Sequence, residues 1–458
     1  VTAVDAKVDE KVARPGVAGD FKRLWSAAVI SRVGDALRSA ALPLLAVALT
    51  DSPVLVSLVT AAGFLPWLLF GLVGGAVADR VDQRRAMWAV DVVRGLLMAA
   101  FAAAVACGAA TIGLLIAVAF ALTALQTLFD NAATALLPAV VDETALGTAN
   151  ARLMTGQQIA GSFVGAPLVP VLLGIGLAVP YAADAGTYLL AAVLVAGVRA
   201  DPPPRPARAA GRTLRREIAD GIRALWRDRL LRRLCAATTL CNVGVGALIA
   251  MLPLLVKGWL DAGNAGYAAA IAAYGVGGVA GGLAAGRITG RLGPARSLLL
   301  GGALQTGCLI VLGTARFLPA TIAAMAAFGF VGMLWNVTQV TLMQRRSPAG
   351  MLGRTSAAFR TLGVAGAPFG ALAGGAVAAA WGLNTPMLLA AALFVLAVAA
   401  LSPALKETKE TKETGGGEAA ETGAGAAAGG ETAVETGGEA AVGRGEAADG
   451  GQTSHTGA

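Results

Sequence analysis

"GGAVADRVDQRR" occupies residues 74–85. Two glycines and a short apolar run end in Asp79-Arg80, and Arg84-Arg85 follow at once. Almost uncharged sequence flanks it on both sides, at roughly 54–78 and 86–107. A helix needs about 20 mainly apolar residues to cross the hydrocarbon of a bilayer. A charged turn between two such stretches is therefore a loop at a membrane surface.

Working outward, the same alternation fills the chain. Twelve apolar spans lie at roughly 24–49, 54–78, 86–107, 111–134, 153–174, 177–198, 233–256, 266–289, 297–315, 318–342, 356–381 and 385–402. Lipid cannot satisfy open backbone groups, so helices are the expected form, and no alternating pattern of barrel strands is present. Composition agrees: 56% of the 458 residues are hydrophobic and only 14% charged, against about 25% charged in soluble domains. The expected fold class is an all-α integral membrane protein with twelve transmembrane helices.

Lysine and arginine crowd into alternate loops. The arm before the first span holds Lys7, Lys11, Arg14, Lys22 and Arg23, and the next basic loop holds Arg80, Arg84 and Arg85. Eleven arginines lie between Arg199 and Arg233. Arg287, Arg291 and Arg296 follow, then Arg345, Arg346 and Arg354, while the opposite side carries only Lys257 and Arg316. By the positive-inside rule the arginine-rich side is cytoplasmic, with both termini on it. The net charge of +8 thus encodes topology; no aromatic-interleaved basic patch points to nucleic acid. The amino-terminal arm shows no cleavable signal pattern, so the first span is expected to stay attached.

The spans divide six and six. The expected organisation is an arm at 1–22, a first bundle at 23–198, a cytoplasmic linker at 199–232, a second bundle at 233–402 and a tail at 403–458. The linker opens with the stiff "RADPPPRPAR". It continues as a basic amphipathic helix: Leu214, Ile218, Ile222, Leu225 and Trp226 share a face away from Arg215, Arg216, Arg223 and Arg227. Such a helix suits a membrane surface or a protein partner. The Gly/Ala/Glu-rich tail cannot bury a core and is expected to be disordered. The bundles echo each other. Gly165-Ala166-Pro167 recurs as Gly366-Ala367-Pro368, and "GAVADRVDQRR" (75–85) aligns with "GRITGRLGPAR" (286–296), where Gly290 stands opposite Asp79. Repeated halves are a transporter signature, with the solute site at their interface.

At these residues the chain resembles the major facilitator superfamily of transporters. Its signature loop, roughly G-x-L-A-D-R-x-G-R-R-R, is matched by Gly75, Val77, Ala78, Asp79, Arg80, Arg84 and Arg85, with Asp82 in place of the usual glycine and Gln83 in place of a basic residue. "SRVGDALRSAALPL" (31–44), "LPAVVDETALGTANA" (137–151), "EIADGIRAL" (217–225) and "QRRSPAGMLGRTSAAFR" (344–360) resemble the drug:proton antiporters that include macrolide and enterobactin exporters. The antiporter pattern in the fifth span is half kept, at Gly161 and Gly165, and the fourth span has Gln126 but no arginine. The resemblance implies two pseudo-symmetric six-helix bundles and a conformational latch of Gly75, Asp79, Arg80, Arg84 and Arg85 that pins the halves on the cytoplasmic side. Positive-inside signalling alone would explain the arginines but not Asp79, whose carboxylate suits the positive end of a neighbouring helix.

Charges inside the spans are costly and face a bundle interior or a wet cavity. Arg32, Asp35 and Arg38 are three residues apart on one face of the first span. With Asp184 they are candidates for substrate or proton coupling, although the flanking arginines oppose easy protonation of Asp35; a purely structural triplet is the rival. Asp91 and Arg94 read as a structural pair linked to the latch, and Asp130 and Asn131 as loop anchors. Asn242, Asn336 and Gln339 are uncharged polar candidates for a cavity or for helix packing. Glycines at four-residue spacing, such as Gly278/Gly282/Gly286, mark close helix contacts.

His455 is the only histidine and lies in the tail, and no G-x-x-x-x-G-K-[ST] is present, so neither histidine-based catalysis in the core nor an ATP motor is expected. Cys107, Cys235, Cys241 and Cys308 form no CxxC and read as small buried hydrophobes, not metal ligands. The expected protein is no enzyme and needs no cofactor. It is a monomeric secondary exporter in a bacterial cytoplasmic membrane, moving small amphipathic compounds such as drugs, antibiotics or siderophores against protons. Metabolite uptake, or a transport-inactive sensor or scaffold, are the alternatives. Asp79→Asn is expected to lower transport turnover while leaving ligand affinity nearly unchanged, because a latch shifts populations without touching solute. Equal turnover in the mutant would count against the latch.

Overall fold

The computed structural model describes residues 15–78, 82–141, 145–199, 214–348 and 351–403. Asp79, Arg80, the proline-rich start of the linker and the tail from 404 lie outside the described residues, as do the surroundings of Gly75 on its helix. All the regular structure described is helical. Helices α1 (Pro15–Leu49), α2 (Pro53–Ala78), α3 (Gln83–Ala106) and α4 (Ile112–Val140) come first. Then α5 (Leu146–Ile159) runs through a π-helical turn, Ala160–Gly165, into α6 (Ala166–Ile175), and α7 (Val179–Ala196) follows. The linker carries α8 (Leu214–Arg227). The second half holds α9 (Arg229–Leu254), with a π-helical end at Leu255–Trp259, then α10 (Gly263–Thr314) and α11 (Leu318–Arg346). It closes with α12 (Leu352–Val364), α13 (Gly366–Trp381) and α14 (Thr385–Pro403).

Among the described residues, nine helical segments are long and apolar enough to cross a membrane. One of them, α10, has 52 residues, enough for two crossings, and it breaks at Gly293, where φ is 76° and Pro294 follows. Only glycine adopts that conformation without strain. Two further crossings stand beside these: α1, whose apolar run Arg32, Asp35 and Arg38 interrupt, and α5–α6, continuous through the π-helical turn. With these the twelve crossings are complete.

The aligned turns differ in build. In the second half Gly293 makes the bend. Its counterpart Asp82 has φ −67°, and its carboxylate accepts the Arg85 N–H at 3.0 Å, capping α3. An acidic side chain thus replaces a glycine bend. The fourth crossing also extends to Val140, so Asp130 and Asn131 lie within α4 and not at a loop, correcting the anchor role. Asn131 donates to its own helix at Thr127 O, 2.7 Å away.

Small residues let the helices meet at backbone distance. In α10 the backbone-distance contacts fall one residue away from the expected Gly278, Gly282 and Gly286: a Cβ on Gly277 or Gly281 would come within 1.9 or 2.0 Å of the Ala326 or Phe330 carbonyl of α11. The repeated Gly-Ala-Pro plays the same part twice. A Cβ on Gly165 would lie 2.7 Å from the Val33 carbonyl of α1, and one on Gly366 would lie 2.2 Å from the Thr239 carbonyl of α9. Each bundle thus seats its fifth crossing against its first.

The halves meet through α2 on α13 and through α6 on α10. Both seams close towards the arginine-poor ends. Gly375 abuts Ser57, and Ala40, Leu44, Val169 and Pro170 face Asn264 and Tyr267 around a void of only about 10 Å³. Inserting bulk into such contacts costs about 1–3 kcal/mol when side chains can yield, and a backbone carbonyl yields least. Gly281→Val should therefore lower the thermal midpoint in detergent sharply, whereas Gly286→Ala, with nothing within 4 Å of the added methyl, should leave it almost unchanged.

Candidate functional site

Two polar features sit inside the bundles. The first is a buried charge cluster in the first half. Arg94 of α3 and Asp91, one turn earlier, are both fully buried. Arg94 Nη2 donates to Asp35 Oδ1 of α1 and to the Tyr188 hydroxyl of α7 at 2.8 Å. Its Nη1 donates to Ser31 Oγ at 3.1 Å and to Asp91 Oδ1 at 3.2 Å. Tyr188 in turn donates to Asp35 Oδ1 at 2.7 Å, and the guanidinium carbon stands 3.9 Å from the Tyr188 ring centre. Arg38 Nη2 reaches Asp35 Oδ1 at 3.4 Å and Gln126 Oε1 of α4 at 3.2 Å. Arg32, at the rim, lies 3.8 Å from Asp35 and 4.0 Å from Asp130. One aspartate thereby ties α1, α3, α7 and, through Arg38, α4.

The three-residue spacing of Arg32, Asp35 and Arg38 foretold their pairing. The sequence did not foretell that Arg94 is Asp35's principal partner, because that contact bridges 59 positions. Asp91 and Arg94 do pair, at 3.2 Å, and among the described residues Arg94's remaining contacts lead to α1 and α7; any link to Asp79 or Arg80 lies outside them. The one available signal was an arginine placed deep in an apolar span, which lipid tolerates only when it is paired.

Asp184 differs from its neighbours. It is wholly buried on α7 and no arginine stands within ion-pair distance among the described residues; its Oδ2, like that of Asp91, has no hydrogen-bond partner among them. Its Oδ1 accepts from the Thr187 hydroxyl at 3.4 Å and points at Gly34, which leaves room for it. Charge counting sharpens the contrast. Asp35, Asp91 and Asp184 face Arg38 and Arg94, while Arg32 and Asp130 balance at the rim. The interior therefore holds one acid more than its bases neutralise.

The second feature is a cavity in the other half. A chamber of about 560 Å³ reaches towards the arginine-rich ends beside Met343, Gln344 and Arg360, and a smaller one of about 220 Å³ continues it inward past Tyr274, Phe328 and Trp335. Both share Thr238, Asn242, Asn336 and Gln339. Gln339 Oε1 accepts from Thr238 Oγ1 at 2.8 Å and from Trp335 Nε1 at 3.1 Å, and Asn242 Nδ2 donates to Thr238 O at 3.0 Å. The three uncharged polar candidates thus share one wall, with aromatic rings deeper in. The buried aspartates line neither chamber.

The charged turn is only partly described. Arg84 donates to the Val198 carbonyl at 2.8 Å, and Arg23 of α1 donates to Gly197 O at 2.8 Å. Both cap the carbonyl end of α7, where cations complement the helix dipole. Arg85 is exposed and pairs with Asp82 at 3.4 Å. Arg84 and Arg85 therefore join parts of one half here, and any contact of Asp79 or Arg80 lies outside the described residues.

Twelve crossings in two sixes, closed at one end of their seams and polar at the other, define a secondary transporter of the two-bundle type. The sequence profile of the Major Facilitator Superfamily matches residues 24–371, and the chain belongs to that family. The enterobactin exporter EntS of Shigella boydii is 27% identical over 393 residues, covering 81% of this chain and 88% of EntS. The crystal structure of the nucleoside transporter NupG, as its D323A mutant, is similar with a TM-score of 0.69 at 12% identity, covering 84% of this chain and 99% of NupG. A bacterial homologue of the human lysosomal transporter Spinster, inward-facing and unoccupied, gives a TM-score of 0.67 at 13% identity over 86% of this chain and 98% of that one. The protein is thus a multi-pass membrane transporter of small molecules, and the proteins named here to which it is similar are transporters.

Removing one partner of a buried ion pair costs about 3–5 kcal/mol, because the other charge is left unpaired. Arg94→Met should therefore destabilise the folded protein strongly, and the double variant Arg94→Met/Asp35→Asn should recover part of the loss. A double-mutant cycle on thermal unfolding reads the coupling, and strictly additive losses would refute the pairing.

Proposed function

We propose that the protein is a proton-coupled exporter of small amphipathic compounds, such as drugs, antibiotics or siderophores, in a bacterial cytoplasmic membrane. On this view it works as a monomer with both termini in the cytoplasm, without a cofactor, energised by the proton gradient. One observation carries the proposal: one half holds a chamber walled by amides, a hydroxyl and aromatic rings, with Arg360 towards its arginine-rich end, while a buried charge cluster in the other half holds one acid in excess among the described residues. Similarity to an enterobactin exporter supports export, and the positive-inside asymmetry supports the orientation. With the arginine-poor seams closed, the chamber faces the cytoplasm, ready to load solute. The rocking of the two halves would then expose it outside.

Within the cluster the roles separate. Asp35 accepts from Arg94, Arg38 and Tyr188 and serves as the fixed link that binds the bundle. Its burial removes it from contact with a cationic solute. Asp184 is the proton carrier: a neutral carboxyl relieves the excess charge and suits its unpaired oxygen. Solute and proton then act on different halves and are coupled through the rocking motion. Asp79, Arg80, Arg84 and Arg85 are proposed to bias that motion from the arginine-rich face.

Purified protein in proteoliposomes tests the scheme, with an amphipathic dye and a catecholate siderophore as probes. An imposed pH gradient should drive uphill movement in the wild type. Asp184→Asn should abolish the gradient response yet preserve downhill movement. A wild type indifferent to the gradient would refute proton coupling, and a fully coupled Asp184→Asn would remove Asp184 from it. The preferred direction of movement separates export from uptake.

A further inference from the structure

The chamber of the second half has a charge balance of its own. Among the described residues, Arg360 of α12 is the one charged side chain that lines either part of it, and no carboxylate does. Arg360 is exposed and forms no ion pair among those residues. Asp130 of α4, on the facing half, lies close enough to feel its charge, but that carboxylate already stands 4.0 Å from Arg32.

Deeper in, a second polar group has no protein partner. Gln305 of α10 is only 5% exposed and lines the inner part of the chamber. Its side chain makes no hydrogen bond among the described residues, yet its amide is open to the chamber and not sealed in the protein. A Cβ on Gly332 of α11 would come within 3.3 Å of its Nε2, so glycine keeps that place for the amide. The neighbouring amides are engaged: Gln339 accepts from Thr238 and Trp335, and Asn242 donates to the Thr238 carbonyl. Buried amides are normally hydrogen-bonded, and one that faces a cavity unpaired is placed for a ligand. Tyr274, Phe328 and Trp335 surround it. From Gly332 in the inner part to Gln339, shared with the outer part, α11 rises about 10 Å. Gln305 and Arg360 thus mark the two ends of an elongated slot, amide and aromatic inside, cationic towards the arginine-rich face.

We infer that the chamber selects amphipathic acids, with an aromatic body held at Gln305 and the rings and an anionic group such as a carboxylate on Arg360. The inference rests on the reading of the chamber as the solute site. A guanidinium takes a carboxylate in a two-point fork, and no acid lining the slot competes for it. A cationic solute finds no counter-charge there and is repelled by Arg360.

Equilibrium binding to the purified full-length protein in detergent tests this, near neutral pH and without a gradient. The probes are dansylglycine, which is anionic, dansylamide, which is neutral, and dansylcadaverine, which is cationic. Wild type should bind dansylglycine about tenfold more tightly than dansylamide, the gain expected of a hydrogen bond to a charged group, and dansylcadaverine most weakly. Arg360→Gln should remove the preference for dansylglycine and leave dansylamide almost unchanged, and Arg360→Lys should retain part of it. Gln305→Met should weaken all three probes about threefold and keep the preference. Arg291→Gln, which removes an exposed arginine that lines neither part of the chamber, should keep it in full. The preference is a ratio read on folded protein, so partial loss of fold does not mimic its loss. Equal affinities in wild type, binding of no probe, or a preference that survives Arg360→Gln would overturn the assignment. Parallel losses for all probes in Arg360→Gln would overturn it too, and would make the arginine a link to Asp130 of the other half. Transport in proteoliposomes is read separately: a gradient-driven pump without acid preference keeps the proposed function and loses this inference, and a protein that prefers acids but ignores the gradient does the reverse.

Discussion

Arg94 is fully buried among helices that cross a membrane, and a lone guanidinium there has no water to turn to. The first half is arranged around that constraint. Asp35 of α1 neutralises it, Tyr188 of α7 bridges the two and lends its ring face, and Asp91 and Ser31 take the second nitrogen. Contacts of that strength in a low-dielectric interior fix the relative rotation of α1, α3 and α7. Apolar packing alone, which lipid tails match almost as well, could not do so.

The two halves share a scaffold but divide the chemistry. In both, a Gly-Ala-Pro seats the fifth crossing against the first, at Val33 in one case and Thr239 in the other. Upon that common frame the first half carries acids and arginines, whereas the second offers amides, a hydroxyl and aromatic rings around an accessible chamber. On the proposed scheme the two need different surroundings: a sealed one for a proton, where an unpaired charge is costly, and a wet and adaptable one for an amphipathic solute.

Departures from the repeat are informative for the same reason. Gly293 bends the second half between its crossings, while Asp82 caps α3 at the matching place. The first turn thereby gains a carboxylate and an arginine that grips the carbonyl end of α7. The linker helix is likewise absorbed into the second half through Gly221 and Leu225.

Sequence by itself determined the membrane class, the twelve crossings and the repeat. Length of apolar run and placement of arginine are local quantities, read along the chain without knowing what touches what. Helix-face spacing also revealed the Arg32–Asp35–Arg38 triplet, because i and i+3 are neighbours in any helix. The tertiary structure decided everything that depends on facing partners. It joined Arg94 to Asp35 rather than to Asp91 alone, left Asp184 with no arginine at ion-pair distance among the described residues, gathered Asn242, Asn336 and Gln339 on one wall, and turned Arg84 inward to its own half. Those relations arise from how helices distant in sequence rotate against one another, and no local periodicity carries that information.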